Sequence, residues 1–147
     1  MSIPAGTRFI GIIPGVDMTE RKSAQANSPS NVYTIEDIQT LVNTPSVQSV
    51  VSSATVTPVY GNDLVVITAQ AVALALANPT GTWPQGKDMM IRIKDNGTAR
   101  AITFDTKYRA IGVTLPTTTV ISKTTYVGVI YNATDDKFDV IGVTTEA

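Results

Sequence analysis

From residue 47 onward the chain is a succession of short β-type runs, and this pattern constrains the fold more than any other feature. Valine, isoleucine, threonine and tyrosine alternate with other residues, and clusters of Gly, Pro, Asn and Asp separate the runs. A period of two places one set of side chains against a core and the other in solvent. About seven such runs with turns between them are typical of a sandwich. We therefore predict a mainly β fold, an antiparallel β-sandwich of jelly-roll type, over residues 47–147.

One predicted hairpin is centred on Asn96-Gly97, which lies between two β-type runs. A type I′ turn favours this dipeptide because both of its central residues need positive φ. A two-residue loop would place Ile91 opposite Ile102 and Met89 opposite Phe104. The hairpin would then have one apolar and one polar face, as in an antiparallel sheet with one side in water.

A second hairpin is predicted near the end of the chain. Residues 133–136 form a polar loop between two strongly β-type runs. A four-residue loop would pair Tyr131 with Phe138 and Val129 with Val140. Aromatic and β-branched pairs of this kind stabilise a sheet by roughly 0.2–1 kcal/mol each.

Residues 1–46 have a different residue pattern, and we predict an arm followed by one short helix. Residues 16–31 are polar and show no period, whereas Thr34 can cap a helix over residues 34–42 with one apolar stripe. Apolar residues on a segment with little core of its own gain stability by burial against a partner. The alternative is that they pack on the body of their own chain. The candidate docking residues are Phe9, Ile10, Ile12, Ile13, Tyr33, Ile35, Ile38 and Leu41.

Composition excludes several classes of function. The 147 residues include no Cys and no His, so thiolate metal sites and His-based catalytic triads are excluded. A formal net charge of −1 offers no electrostatic footprint for nucleic acid. No apolar run has the length needed to span a bilayer. We predict a protein that is not an enzyme, has no cofactor, and binds neither nucleic acid nor membrane.

Two sets of carboxylates are considered and set aside as sites. The first set, in and beside the loop of the last hairpin, comprises Asp135, Asp136 and Asp139. Their spacing matches no dedicated calcium loop, so a solvated acidic tip is favoured over a Ca²⁺ site. The second set comprises Asp88, Asp95 and Asp105. Asp is a common turn former at strand ends, and only a close pair among these three would point to a glycosidase.

An aromatic platform for sugar is a further candidate. Trp83, Tyr108 and Tyr60 could present their rings together as a glycan contact. An aromatic residue in a turn more often plugs the end of a sandwich. The sequence keeps both interpretations open.

Several blocks in order resemble a known module. They are residues 67–71, 77–82, 91–100, 108–110, 115–119 and 128–132. Together they resemble the β-sandwich module found near the C-termini of many tailed-phage virion proteins, among them tail and head fibres. The resemblance covers roughly residues 50–145 and is more specific for the module than for the part of the virion. It implies an outward-facing domain that forms homo-oligomers, with a trimer expected.

The N-terminal part is similar to head-fibre and auxiliary capsid proteins of crAss-like phages. The similarity lies in Phe9-Ile10-Gly11, in Lys22-Ser23-Ala24 and in residues 33–38. No long shaft separates the two parts of the chain, which favours a short head fibre or capsid-decoration protein over a tail fibre. The resemblance implies the capsid protein as partner, and location in the virion after assembly in the bacterial host cytoplasm. The alternative function is a carbohydrate- or receptor-binding module of a fibre tip.

Overall fold

The computed structural model describes residues 39–40 and 44–147. The chain divides into two units, Met1–Ile38 and Gln39–Ala147, and all described residues belong to the second. Gln39 and Thr40 are helical, and the carbonyl of Thr40 accepts a 3.0 Å hydrogen bond from the amide of Thr44. The rest of the predicted helix lies outside the described residues. So do all eight predicted docking residues, which are Phe9, Ile10, Ile12, Ile13, Tyr33, Ile35, Ile38 and Leu41.

The described part of the chain is mainly β, as predicted, and its first strand begins at residue 47. It contains β1 (Val47–Val50), β2 (Thr55–Val56), β3 (Leu64–Gln70), β4 (Leu74–Leu76), β5 (Asp88–Asp95), β6 (Ile102–Phe104), β7 (Tyr108–Ala110), β8 (Thr124–Asn132) and β9 (Lys137–Thr145). No helix among these residues is long and apolar enough to span a membrane.

The strands form a six-stranded and a three-stranded sheet. The larger sheet has the order β1-β3-β5-β8-β9-β7, and the smaller has the order β2-β4-β6. In the larger sheet β5-β8 and β8-β9 are antiparallel, whereas β1-β3, β3-β5 and β9-β7 are parallel. The smaller sheet is entirely parallel. The larger sheet is therefore mixed and the smaller one parallel, and the prediction of antiparallel pairing throughout is wrong.

The parallel pairs arise because the chain winds between the two sheets. From β1 to β6, successive strands alternate between the larger and the smaller sheet. We call each consecutive pair (β1 with β2, β3 with β4, β5 with β6) a coil. Parallel neighbours need a crossover connection, and here the crossover is a short strand of the other sheet in place of a helix.

The predicted hairpin at Asn96-Gly97 is wrong. Ile91 on β5 lies opposite Val65 on β3 and Val127 on β8, while Ile102 on β6 lies opposite Leu74 on β4. The dipeptide does turn the chain, and Gly97 has a φ of +106°. The turn sends the chain into the smaller sheet and not back along β5.

The side chain of Asp95 ties this turn to the segment that precedes β8. Its Oδ1 accepts hydrogen bonds from the amide of Gly97 at 2.7 Å and from the amide of Ser122 at 2.9 Å. A carboxylate that accepts the amide two residues further on closes an Asx turn, and the second bond holds this turn against the Ser122 segment. The sequence at this point therefore specifies a turn, but it does not specify that the next strand pairs with β5.

The final hairpin is confirmed. β8 and β9 pair Tyr131 with Phe138 and Val129 with Val140, as the four-residue loop predicts. A register shift between Gly128 and Val129 introduces a bulge, which leaves Ile141 without a partner on β8.

Both sheets contribute side chains to one hydrophobic core. From the smaller sheet it receives Val56, Leu74, Leu76 and Ile102. From the larger sheet and its connections it receives Val65, Ile67, Met89, Ile91, Ile93, Tyr108, Val127, Val129, Phe138, Val140 and Trp83. On β5 the buried residues alternate with exposed or half-buried ones, so the opposite face of the larger sheet points away from the core. We call that face the outer face.

Candidate interaction surface

The three rings proposed as a sugar platform do not lie on one open surface. Trp83 is 8% exposed and Tyr108 is 7% exposed, whereas Tyr60 is 44% exposed. The ring of Trp83 meets Phe138 edge-on with centroids 5.0 Å apart, and Tyr108 lies 6.0 Å from the same ring. Trp83 Nε1 donates a 3.0 Å hydrogen bond to the carbonyl of Thr80. Trp83 and Tyr108 are therefore part of the hydrophobic core, and of the three rings only that of Tyr60 is largely exposed to solvent.

The carboxylates at the β8–β9 turn face cations. Arg109 on β7 donates from Nε and Nη2 to the two oxygens of Asp139, at 2.7 and 3.0 Å, and its Nη1 lies 2.9 Å from Asp135. The guanidinium of Arg109 lowers the pKa of Asp139 below its usual value. A carboxylate held in this bidentate pair has little capacity left for a metal ion.

The third carboxylate of the turn is similarly engaged. Asp136 Oδ1 accepts a 2.8 Å hydrogen bond from Lys107 Nζ and a 2.9 Å hydrogen bond from the hydroxyl of Tyr131. These two bonds, that from Lys107 first, lower the pKa of Asp136. Among the described residues, no group of three or more Asp or Glu side chains is arranged to hold a metal ion.

The three strand-end carboxylates have three different environments. Asp95 is 3% exposed and bonded to Thr119, Gly97 and Ser122. Burial alone would raise the pKa of Asp95, but these hydrogen bonds together lower it below the usual value. Asp105 is exposed and accepts the amide of Thr106 through its Oδ1. Asp88 is exposed on β5.

Apolar and glycine residues form a continuous row across the outer face. Strand pairing aligns Val47, Leu64, Met90, Gly128 and Gly142, one from each of β1, β3, β5, β8 and β9. We call the part of this row formed by Met90, Gly128 and Gly142 the glycine row. Val47 is 48% exposed and Met90 is 41% exposed. The row is therefore an apolar strip whose residues are half-buried or exposed.

A shallow depression lies beside the glycine row. Its outer-face lining includes Asp88, Met90, Gly128, Ile130 and Ile141. Ile141, at the bulge in β9, is 52% exposed. Exposed apolar side chains and a recess therefore lie side by side. Such a surface can form a shape-complementary contact with another protein surface.

Comparison with protein families, with curated proteins and with solved structures finds no match to this chain. The function is therefore inferred from the residues of the chain itself.

The outer face is the feature that sequence reasoning missed. Gly128 and Gly142 each lie inside a strongly β-type run, and a glycine inside a strand often marks the close approach of another backbone. That signal was present in the sequence, but only the β8–β9 register shows that the two glycines are direct neighbours.

Proposed function

We propose that this protein is a virion structural subunit, a short head-fibre or capsid-decoration protein of a tailed phage. Its N-terminal segment binds the capsid through the apolar docking residues, and its β body is displayed outward. In this proposal the two-sheet body is a wound variant of the phage β-sandwich module. Copies of the chain associate in the assembled particle.

The observation that carries the proposal is the division of the chain at residues 38/39 into two units. The described body buries side chains from both of its sheets in one core, so we expect it to fold without the preceding segment. In this proposal the apolar residues of the leading segment bind the partner. The ordered blocks that resemble phage virion modules supply the class of partner.

The carboxylates of the body support a non-enzymatic role. General acid–base hydrolysis by two carboxylates needs a pair facing a shared substrate position. Here Asp135 and Asp139 are paired with Arg109, and Asp136 is paired with Lys107. Asp95 is buried, and its carboxylate accepts hydrogen bonds from the Thr119 hydroxyl and the Ser122 amide.

The test is binding of the full chain to phage particles assembled without it. We expect the wild-type chain to sediment with the particles, and a variant carrying Phe9→Ser, Ile10→Ser and Ile13→Ser to stay in the supernatant. A variant with Ser28→Ala in the polar arm is the matched control and should bind like wild type. Far-UV circular dichroism checks that the body is unchanged. Particle binding by the triple variant at the wild-type level would contradict the proposal.

The second candidate is a glycan- or receptor-binding module. One observation favours it: Tyr60 is exposed and its ring meets the buried Trp83 edge-on at 5.5 Å, which holds it in place at the surface. Glycan-array binding that disappears in Tyr60→Ala, with the fold intact, would support this function. Failure to bind any glycan would leave the structural role as the sole candidate.

A further inference from the structure

The outer face of β5 has a charge pattern that is antisymmetric about Met90. Met89, Ile91 and Ile93 point into the core, so Asp88, Met90, Arg92 and Lys94 point outward. An acidic residue thus precedes Met90 by two positions and a basic residue follows it by two. Lys94 is paired with Glu146 at 3.2 Å and takes no part in this pattern.

The two charged groups beside Met90 have weak partners or none within the described residues. Asp88 lies 3.9 Å from Lys87 Nζ, the limit of an ion pair, and Lys87 has a closer partner in Asp63 at 2.5 Å. Arg92 forms no ion pair there, and its Nε is buried without a hydrogen-bond acceptor. A buried donor without an acceptor is costly, so a partner for Arg92 is expected outside this part of the chain.

The subunit itself gives little reason for glycine at either strand position of the glycine row. A Cβ on Gly128 would make only ordinary contacts, at 3.8 Å with Met90 Cε and at 4.0 Å with the Gly142 carbonyl oxygen. Neither Gly128 nor Gly142 has a positive φ, so the backbone does not require glycine at either position. A Cβ at Gly142 would meet nothing within 4 Å, so the described fold leaves room for a side chain. Glycine in a strand costs stability relative to other residues. The missing side chains are explained if a second surface approaches the sheet closely at this row.

We propose that a second copy of this chain packs on the outer face about a two-fold axis that runs across the strands along the glycine row. The axis reverses the strand direction of the second copy. Asp88 of each copy then lies over Arg92 of the other, and the two Met90 side chains meet on the axis. Aligned sheets commonly pack face to face in this way, and the glycines allow the closest approach at the centre.

The neighbouring strand follows the same symmetry. On β8, Ile130 pairs with Asp88 and Tyr126 pairs with Arg92. The axis therefore places Ile130 of one copy against Tyr126 of the other, an aliphatic side chain against an aromatic ring.

The observations favour a second copy over a different protein. An isologous interface requires one patch to be complementary to itself. Asp88 and Arg92 meet this requirement because they are opposite in charge and equally distant from Met90 on one strand. This interface is independent of the proposed virion role and would form in the isolated protein.

The first test is the mass of the full chain in solution, measured by sedimentation velocity across a dilution series. We expect wild type to sediment at twice the chain mass of 15.6 kDa. Gly142→Val should convert it to monomer, because the added side chain occupies the space of the second copy while its Cβ meets nothing within 4 Å in its own subunit. Ala133→Val, at an exposed position in the β8–β9 turn, is the matched control and should remain dimeric. A monomeric wild type, or a Gly142→Val variant that keeps the wild-type mass, overturns the proposal.

The second test exchanges the charges. Asp88→Arg and Arg92→Asp each place like charges together twice in the dimer, so each should dissociate it. The double variant with both changes restores opposite pairs and should recover the dimer. Thermal unfolding of each variant checks that the fold is retained. Failure of the folded double variant to recover the dimer overturns the proposal, as does a trimer whose mass responds to none of these changes.

Discussion

Thr119 Oγ1 donates a 2.5 Å hydrogen bond to Oδ2 of the buried Asp95, and the same hydroxyl accepts the amide of Arg100 at 2.7 Å. The two residues join the segment that leaves β5 to the segment that enters β8. Asp95 Oδ1 holds the amides of Gly97 and Ser122 at the same place. This network fixes the point at which the chain leaves the larger sheet for the smaller one.

The first prediction concerns Asp95 itself. Asp95→Ala leaves the Thr119 hydroxyl and the amides of Gly97 and Ser122 without their acceptor, and should lower the free energy of unfolding by about 3 kcal/mol. Thr119→Val should be destabilising for the same reason, whereas Thr119→Ser keeps the hydroxyl and should cost less than about 1 kcal/mol. Urea denaturation measures all three changes. Equal stability of Thr119→Val and Thr119→Ser would contradict the role given to the hydroxyl.

The second prediction concerns acid. Among the described residues, five carboxyl groups have folded-state pKa values below their usual ones: Asp63, Asp95, Asp136, Asp139 and Glu146. The unfolded chain then binds more protons than the folded chain in acid, so stability is present above the usual carboxyl pKa and falls as the pH drops through the lowered values. The usual value for Asp is 3.8.

We therefore expect little change in unfolding free energy between about pH 5 and 8, since the chain has no His, and a steep loss below about pH 4. Denaturant midpoints measured over this range test the expectation. Asp95→Asn removes one of the five groups, so its free energy of unfolding should fall less steeply as the pH drops below about 4. A maximum of stability below pH 4 would contradict the direction of these pKa shifts.

The third prediction compares two glycines with nearly the same backbone conformation. Gly81 has a φ of +96° and Gly61 has a φ of +98°. A Cβ on Gly81 would lie 2.6 Å from Cβ of Tyr60, whereas one on Gly61 would meet nothing within 4 Å. Gly61→Ala should therefore cost only the backbone strain of about 1 kcal/mol, and Gly81→Ala should cost about 1–3 kcal/mol more. Thermal unfolding of the two variants side by side measures the difference, and equal losses would contradict the contact.

The fourth prediction separates the buried ring from the exposed one. Trp83→Ala removes a ring that packs on Phe138 and should lower the free energy of unfolding by about 3–5 kcal/mol. Tyr60→Ala removes a half-exposed ring and its contact with Trp83, and should cost about 1 kcal/mol. Chemical denaturation followed by circular dichroism compares them, because the Trp83 variant lacks the only tryptophan of the chain. A larger loss for Tyr60→Ala than for Trp83→Ala would contradict the packing described.

The sequence was sufficient to predict the β8–β9 hairpin because its determinants are local. The loop is short, and the cross-strand pairs of Tyr131 with Phe138 and Val129 with Val140 follow from alternation on either side of it. The mainly β character could also be predicted, because β-branched residues favour strands and turn residues favour turns in their own segment of the chain.

The winding of β1 to β6 could not be predicted in the same way. Leu64 pairs with Val47 on one side and with Met90 on the other, and both partners are distant in sequence. Alternation in β5 shows which side chains are buried but not which strand lies beside them. At Asn96-Gly97 the local turn signal was correct, but the inference of a neighbouring partner strand was wrong because β6 pairs with β4, which is distant from it in sequence.

The candidate surface was predictable only in part. Exposed and buried positions of β5 follow from alternation, so an outward Asp88, Met90 and Arg92 could be read from the sequence. The uncovered state of that face could not, because it depends on which face of the larger sheet shares the core with the smaller one. The lack of an acceptor for Arg92 Nε also appears only once the neighbouring strands are in place.

The coils give this fold a modular way to change in length. Each coil adds one strand to each sheet and pairs only with its neighbours, so a further coil inserted before β1 would lengthen both sheets while leaving the β8–β9 hairpin untouched. A chain longer by about twenty residues at this position would therefore keep the same outer face on β5, β8 and β9. The length of the two sheets can thus change without changing the residues of that face.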